Sequence, residues 1–216
     1  MNDASAPTII PLVNINGGEL LPHRTWEAYG VTWLAYALEP LLFKPGIAYL
    51  ETLPSLATYV GWPHKIVLEA SSLTGNASGL IQRRSPFDGS LLSLTQDQLH
   101  ALITALKPDA ICWPGAPMDA RITATPLQLA REGNFYLEGR LTSLTAAHLQ
   151  QDYQRLDAAC GCDTCRLGLT RAYLHYLWQA VPLLCQRFLA QHHGWGMIPV
   201  TPHHVIPRYA RDDGGR

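Results

Sequence analysis

The sequence predicts an α/β fold that ends in a small metal-binding helical segment, and two observations carry this prediction. First, segments with the composition of strands and of helices alternate along most of the 216 residues, an order that favours a parallel sheet or a barrel. Second, three cysteines lie within residues 160–165 (CGCDTC), and His192 and His193 follow after about one helix length. Thiols and imidazoles are the ligands that a tetrahedral metal site requires.

The strands of the first half are predicted from runs of β-branched and apolar residues. Three such runs lie at residues 8–15 (TIIPLVNI), 32–38 (TWLAYAL) and 65–69 (KIVLE). A short helix is expected between the first two, at residues 24–29. Residues 80–94 contain Asp88-Gly89 between two alternating segments, and this turn signal predicts a β-hairpin.

A capped helix and a further strand follow the hairpin. Thr95 and Gln98 have the spacing of a capping box, which predicts a helix over residues 95–107. This helix leads into a fourth strand at residues 109–112 (DAIC). Strand and helix therefore alternate repeatedly up to this point.

The last part of the chain predicts a second hairpin and one long helix. Residues 126–144 have glycines at two bends, Gly133 and Gly139, and are expected to form the hairpin. Between Cys165 and His192, apolar residues recur every three or four positions. This spacing predicts one amphipathic helix, which Pro182 can kink.

Composition excludes several classes of protein. The formal net charge is −1, so the chain lacks the overall basic excess of proteins that neutralise many phosphates. A run of eighteen apolar residues is absent, and the N-terminus lacks a basic region followed by an apolar core, so we expect neither a membrane span nor a secretory signal. Five cysteines, three of them clustered, suit a reducing compartment, and we expect a cytoplasmic protein.

The cysteine cluster predicts a structural zinc site. Cys160, Cys162 and Cys165 follow the pattern C-x-C-x-x-C, which is so tight that the loop must wrap around the metal to direct three thiolates at it. The fourth ligand then arrives from elsewhere, from His192 or His193. Ordinary buried or surface thiols are the weaker alternative, and a disulfide is weaker still.

These motifs resemble the tRNA-guanine transglycosylase (queuine/archaeosine tRNA-ribosyltransferase) family. CGCDTC, then TRAYLHYL at residues 170–177, then QHH resemble the zinc region of that family. Upstream, LLFKPG, GWPHKIVLEASS, RRSPFDGSLLSLTQDQ and TPLQLAREGNFYLEGRL resemble further family segments in the same order. The resemblance covers most of residues 8–195.

The resemblance implies a shortened, divergent family member. Its fold would be a truncated or incomplete (β/α)8 TIM-type barrel with a C-terminal zinc-binding helical subdomain. The implied boundaries are residues 1–156 for a partial barrel with hairpin insertions, 157–200 for the zinc subdomain and 201–216 for a loose tail. It also selects His192 over His193, so the implied ligands of Zn2+ are Cys160, Cys162, Cys165 and His192.

The resemblance further implies exchange of a tRNA guanine for a 7-deazaguanine base, as in queuosine formation, which requires two carboxylates. Glu69 stands at the place of one family aspartate, and residues 114–116 carry no acid where the family has its base-recognising aspartate. Asp119 is the only other candidate nucleophile that we identify. We therefore expect a catalytically degenerate protein. The alternative is an active base-exchange glycosyltransferase on tRNA, or on DNA, that uses Glu69.

Partners follow from the same resemblance. A barrel that lacks strands exposes edges, so we expect a homodimer or a complex with a catalytic transglycosylase subunit, and tRNA as a ligand. Local basic residues are found in two groups: Arg166, Arg171 and Arg187, and Arg83 and Arg84. Two interpretations of the first group stay open, namely contacts with phosphates and pairing with Asp157 and Asp163.

Overall fold

The computed structural model describes residues 9–14, 20–137 and 139–196. The described residues form two compact units. The sheet unit contains residues 10–14 and 32–123, and the zinc unit contains residue 9, residues 20–31 and the described residues from 124 onward. The predicted loose tail lies outside the described residues, and the predicted boundary at residues 156 and 157 stays a prediction.

The strands, in chain order, are β1 (Ile10–Pro11), β2 (Trp33–Ala37), β3 (Lys65–Glu69), β4 (Leu80–Arg84), β5 (Leu91–Thr95), β6 (Ala110–Cys112), β7 (Ile122–Thr123), β8 (Asn134–Leu137) and β9 (Arg140–Ser143). The α-helices are α1 (His23–Ala28), α2 (Leu38–Leu41), α3 (Ile47–Leu50), α4 (Leu56–Val60), α5 (Gln96–Ala105), α6 (Thr125–Arg131), α7 (Asp163–Arg166), α8 (Arg171–Ala180) and α9 (Pro182–Trp195). A π-helical turn lies at Leu42–Gly46 and a 3-10 turn at Ala147–Gln151.

Parallel strands build the sheet unit. β2, β3 and β6 form a three-stranded parallel sheet in which Ala37, Glu69 and Cys112 lie side by side at the carboxyl ends of their strands. β1 pairs in parallel with β7, and a single bridge from Leu12 to Ala35 connects this pair to β2. Residues on both faces of the central strands are buried, as expected for parallel sheets.

Two antiparallel hairpins accompany the sheet and the helices. β4 and β5 form the predicted hairpin around Asp88-Gly89, and β8 and β9 form the second one. The predicted capping box is present, because the Thr95 side chain accepts from the Gln98 amide and the Gln98 side chain accepts from the Thr95 amide. Both local predictions are confirmed.

Helix α9 is the centre of the zinc unit and packs against α6, α7 and α8. The hydrophobic core of this unit includes Trp26, Phe135, Leu174 and Leu189, all with no exposed surface. Helix α1 joins the core through Trp26, whose ring lies 3.1 Å from the position that a Cβ atom would take on Gly194. The helix thus approaches α9 where a glycine leaves room.

Two predicted elements differ from the structure. Residues 126–131 are not a strand of the second hairpin; they form α6, because Pro126 suits the first turn of a helix and Leu127 and Ala130 are buried. The segment between Cys165 and His192 is not one helix, because α8 ends at Ala180 and α9 begins at Pro182. Val181 has φ −142° and ψ 67°, since a residue before proline disfavours helical angles.

The predicted α/β class is confirmed, and the described residues contain no closed barrel. The sheet instead remains open, with β6 and β7 at its ends.

Gly133, between α6 and β8, provides a test of packing in the zinc unit. It has φ +70°, and a Cβ atom there would lie 2.8 Å from the Trp178 ring. The left-handed backbone costs other residues about 1–2 kcal/mol, and overpacking adds about 1–3 kcal/mol, so we expect Gly133→Ala to lower the free energy of unfolding by about 2–5 kcal/mol. Urea unfolding measures this change.

Gly139→Ala is the matched control, because Gly139 has φ +79° and no atom within 4 Å of its Cβ position. It should lose only the backbone share, about 1–2 kcal/mol. Equal losses for the two variants would show that Trp178 moves aside without cost.

Candidate functional site

The cysteine loop is shaped by hydrogen bonds from its own backbone. The Cys162 amide donates to the Cys160 sulfur at 3.5 Å, and the Cys165 amide donates to the Cys162 sulfur at 3.3 Å, so that Cys162 caps α7. Amide donors of this kind stabilise thiolates and orient them, as groups around a metal site commonly do. The loop therefore places three sulfurs together without help from distant residues.

His192 on α9 completes the cluster. Its Nδ1 atom lies 3.4 Å from the Cys165 sulfur and 3.8 Å from the Cys162 sulfur, and the ligand atoms of Cys160, Cys162, Cys165 and His192 all lie within 4.8 Å of one another. Zn–S bonds of about 2.3 Å and Zn–N bonds of about 2.0 Å place tetrahedral neighbours about 3.5–3.8 Å apart. The cluster therefore suits a structural zinc ion.

His193 points elsewhere. It has no exposed surface, and its Nε2 atom donates to the carbonyl of Asn134 on β8 at 2.9 Å. Burial and, to a smaller extent, the neighbouring His192 lower the pKa of His193 to about 3. The histidine therefore remains neutral and attaches α9 to the second hairpin, while its neighbour faces the thiols.

The thiols compete for negative charge. Hydrogen bonds from the Cys162 and Cys165 thiols lower the pKa of Cys160. The hydrogen bond that the Cys165 thiol donates to Cys160 raises the pKa of Cys165. Contact with Cys160 also raises the pKa of Cys162 to about 12. Without a cation, three adjacent thiols cannot all ionise, whereas a bound metal ion is the charge that permits three thiolates.

A ring of buried contacts fixes the cluster to its surroundings. Thr164 has no exposed surface, and its hydroxyl lies 2.8 Å from the Phe188 carbonyl and 3.1 Å from the Gln191 side-chain amide. Both partner atoms are oxygens that accept, so the single hydroxyl proton of Thr164 is shared between the Phe188 carbonyl and Gln191 Oε1. The Tyr29 hydroxyl donates to the Gln191 carbonyl at 3.2 Å, and burial raises the pKa of Tyr29.

Glu69 lies in the sheet unit, at the end of β3, and is only 7% exposed. One carboxylate oxygen accepts from the Ser71 amide at 2.8 Å and also from the Ser71 hydroxyl. The predicted catalytic role of Glu69 stays a prediction, although its position at the carboxyl end of a parallel strand is where α/β proteins bind ligands.

Asp119 is occupied by its own loop. Two nitrogens of the Arg121 guanidinium, Nε and Nη2, donate to the Asp119 carboxylate. These hydrogen bonds lower the pKa of Asp119 to about 2. The basic residues near the metal cluster are similarly engaged, since Arg166 pairs with Asp163 and Arg171 pairs with Asp152. For these two arginines, pairing is the interpretation that the structure favours, with Asp152 in place of the expected Asp157.

Sequence reasoning missed one acid, Glu39. It follows β2 by two residues, and its Oε2 atom accepts from the Ser72 hydroxyl at 3.3 Å, while Arg83 lies 3.6 Å from its Oε1 atom. Ser72 adjoins Ser71, the partner of Glu69. The sequence does show an acid just beyond the predicted strand that pairs with β3. Only the register of the two strands, however, places this acid near Glu69.

The site in the zinc unit thus defines a class: a Cys3His metal-binding helical segment. A family model described as Queuine tRNA-ribosyltransferase matches residues 117–197, which contain this segment. The predicted family resemblance is confirmed over these residues.

Curated relatives with the same name show the same similarity. The queuine tRNA-ribosyltransferases of Cyanothece sp. (strain PCC 7425 / ATCC 29141) and Thermosynechococcus vestitus are 37% and 38% identical over 76 residues, which is 35% of this chain and 20% of each relative. That of Xanthomonas campestris pv. campestris (strain B100) is 25% identical over 109 residues, which is 46% of this chain and 29% of the relative. The chain therefore matches only a fifth to three tenths of the length of these relatives.

The zinc cluster makes a direct prediction for Cys162→Ser. Removal of one thiolate should release the metal and unfold the zinc unit, because structural zinc contributes on the order of 10 kcal/mol to the folding of small zinc domains. Elemental analysis should show about one zinc per wild-type chain and almost none in the variant. Cys185→Ser is the control, since Cys185 is fully buried but lies outside the cluster.

The two adjacent histidines allow a sharper test. His192→Ala should lose zinc, whereas His193→Ala should keep it and lose only the stability that its contact with Asn134 supplies, about 1–3 kcal/mol for a buried partner left unsatisfied. Zinc content and urea unfolding of both variants measure the two effects. Loss of zinc from the His193 variant alone would show that His193, and not His192, is the zinc ligand.

Proposed function

We propose that this chain acts on tRNA as a transglycosylase-like protein in the incorporation of a 7-deazaguanine base, with the zinc unit as a stable scaffold. The observation that carries the proposal is the Cys3His cluster, buried except for the half-buried Cys160, inside the segment that matches queuine tRNA-ribosyltransferases. When bound, the zinc ion neutralises the thiolates and fixes the loop to α9. Zinc has no reactive role here.

The sheet unit supports the barrel part of this proposal. The last strand of the sheet, β7, runs parallel to the first strand, β1, as the last and first strands of a closed (β/α)8 barrel do. We interpret the sheet as a shortened barrel from which strands between β6 and β7 are missing. The carboxyl ends of its strands are then the place for a base or a ribose.

Two versions of the function differ in whether the chain carries out exchange. In the first, the chain is catalytically degenerate. It then either forms a homodimer or serves as the accessory subunit of a catalytic transglycosylase. The occupied carboxylate of Asp119 favours this version. So does the exposed apolar surface of the last two helices, where Tyr173 and Tyr176 stack and Leu183 is 74% exposed.

In the second version the chain is itself a base-exchange glycosyltransferase that uses Glu69. The presence of Glu39 next to the Glu69 turn favours this version, because glycosyl transfer uses paired carboxylates. Among the described residues, we find no helix with the length and apolar character needed to cross a membrane.

Incorporation of labelled guanine into bulk tRNA by the zinc-loaded protein distinguishes the two versions. For the active version we expect incorporation that Glu69→Gln reduces by about a hundredfold or more, as loss of an acid–base group commonly does. Glu51→Gln, at an exposed acid outside this site, should have no effect.

A gel-shift assay with the same tRNA tests the shared part of the proposal. Both versions require binding, whereas only the active version requires incorporation. A zinc-loaded protein that does not bind tRNA would contradict the proposed function as a whole.

A further inference from the structure

A cavity of about 430 Å³ lies in the sheet unit, between the turn at Leu42–Gly46 and the tip of the β4–β5 hairpin. Leu42 and Phe43 line it from the turn, and Phe87 and Leu91 line it from the hairpin. Ligand pockets commonly have volumes of about 300–1,000 Å³ and mostly apolar walls. The cavity therefore has the size and the lining of a ligand site.

The apolar wall of this cavity is partly open to solvent. Phe87 is 53% exposed and Leu91 is 56% exposed, whereas Leu42 is only 2% exposed. A single exposed apolar side chain is common, but several around one concave surface mark a place where something binds. Covering them would remove apolar surface from water, which favours occupation of the cavity.

A cation stands beside the exposed aromatic ring. The Nζ atom of Lys44 lies 3.6 Å from the centre of the Phe87 ring, a cation–π contact that holds the ammonium group at the cavity. Among the described residues, no carboxylate oxygen lies within 4 Å of this nitrogen. Arg84 adds a second positive charge at the hairpin, where its Nη1 atom donates to the Gly89 carbonyl at 3.2 Å. An aromatic ring next to cations is the combination with which proteins bind single-stranded nucleic acid.

Asp88 is the carboxylate of the lining. It accepts from the Ser90 amide at 3.2 Å and from the Ser90 hydroxyl at 2.8 Å, so it is held in its own turn. A carboxylate repels phosphate but accepts from the amino and imino groups on the edge of a base. The charges therefore suit a nucleotide whose base faces Asp88 and whose phosphate faces Lys44.

We propose that this cavity receives an unpaired base of tRNA, which stacks on Phe87 while the adjoining phosphate binds Lys44. The inference rests on the proposed function and adds a contact surface to it. Neither Glu39 nor Glu69 lines the cavity, so this surface is separate from the end of β3. An apolar protein segment is the poorer occupant, because it would cover the Lys44 ammonium without supplying an anion.

The first test is a gel-shift titration of zinc-loaded protein with end-labelled bulk tRNA. Phe87→Ala should weaken tRNA binding about five- to 150-fold, as loss of one stacked base commonly does. Phe87→Tyr keeps the aromatic ring and should bind as the wild type does. Tyr59→Ala is the matched control, since Tyr59 is a 40% exposed aromatic residue of the same unit that lies outside the cavity lining.

The salt dependence of binding tests the role of Lys44. Lys44→Gln should weaken tRNA binding and lower the slope of log affinity against log salt concentration by about 1, as expected for one lost phosphate contact. Lys107→Gln, at an exposed lysine outside the cavity lining, should leave the slope unchanged.

Chemical probing of the bases identifies the contact on the tRNA. At saturating protein, the wild-type chain should protect an unpaired base that becomes reactive again in the complex with Phe87→Ala. Bases in paired stems offer no free face for stacking and should show no difference between the two proteins. Zinc content and thermal unfolding, measured for every variant, confirm that each is folded.

The outcomes separate this inference from the function on which it rests. A wild-type chain that binds no tRNA would overturn both. Binding by the wild type that neither Phe87→Ala nor Lys44→Gln weakens would overturn this inference alone, and an apolar segment of a protein partner would become the better occupant of the cavity. Equal losses in Phe87→Ala and Tyr59→Ala, or protection of the same bases by wild type and Phe87→Ala, would likewise overturn it.

Discussion

The contact between His192 and the cysteine loop is the constraint on which the zinc unit depends. The loop provides three sulfurs within six residues, but it has no core of its own. The imidazole lies on α9, the helix against which α6, α7 and α8 pack. A metal ion bound by both parts therefore joins a short irregular loop to the centre of a hydrophobic core. Thr164 and Gln191 strengthen this junction from the protein side. A metal site of this kind contributes folding free energy directly, since the unfolded chain offers no preformed site.

The sheet unit relies on a different balance. Its parallel strands are buried on both faces, and its polar side chains gather where the strands end. Glu69 is held there by its own turn, and Glu39 is held by the next residue of that turn and by Arg83. The positions of the two acids thus depend on local hydrogen bonds and on strand register together. A change that shifts β3 against β2 would separate them even if every residue were kept.

Features fixed by neighbouring residues could be predicted from the sequence, and features fixed by tertiary packing could not. The cysteine spacing, the Thr95 capping box and the Asp88-Gly89 hairpin are local, and the structure contains all three. Helix α6 was mistaken for a strand because its identity depends on Pro126 at its start and on burial of Leu127 and Ala130. Strand β7 has two residues, too few for any periodicity to reveal. Glu39 escaped notice for a related reason: its nearness to Glu69 is a matter of register, which composition does not specify.

The chain order of the two units has a consequence for synthesis on the ribosome. Helix α1 is made early, but Gly194 and Gln191, its contacts on α9, are among the last described residues to be made. Residues 32–123, which make up most of the sheet unit, lie between them in sequence. The sheet unit can therefore fold as it emerges, whereas α1 must wait with Trp26 exposed until α9 arrives and the metal binds. Contacts of such long sequence separation fold slowly and leave apolar surface open in the meantime. A cell short of zinc would thus accumulate chains with a finished sheet and an unfinished zinc unit, which are suitable substrates for chaperones and proteases.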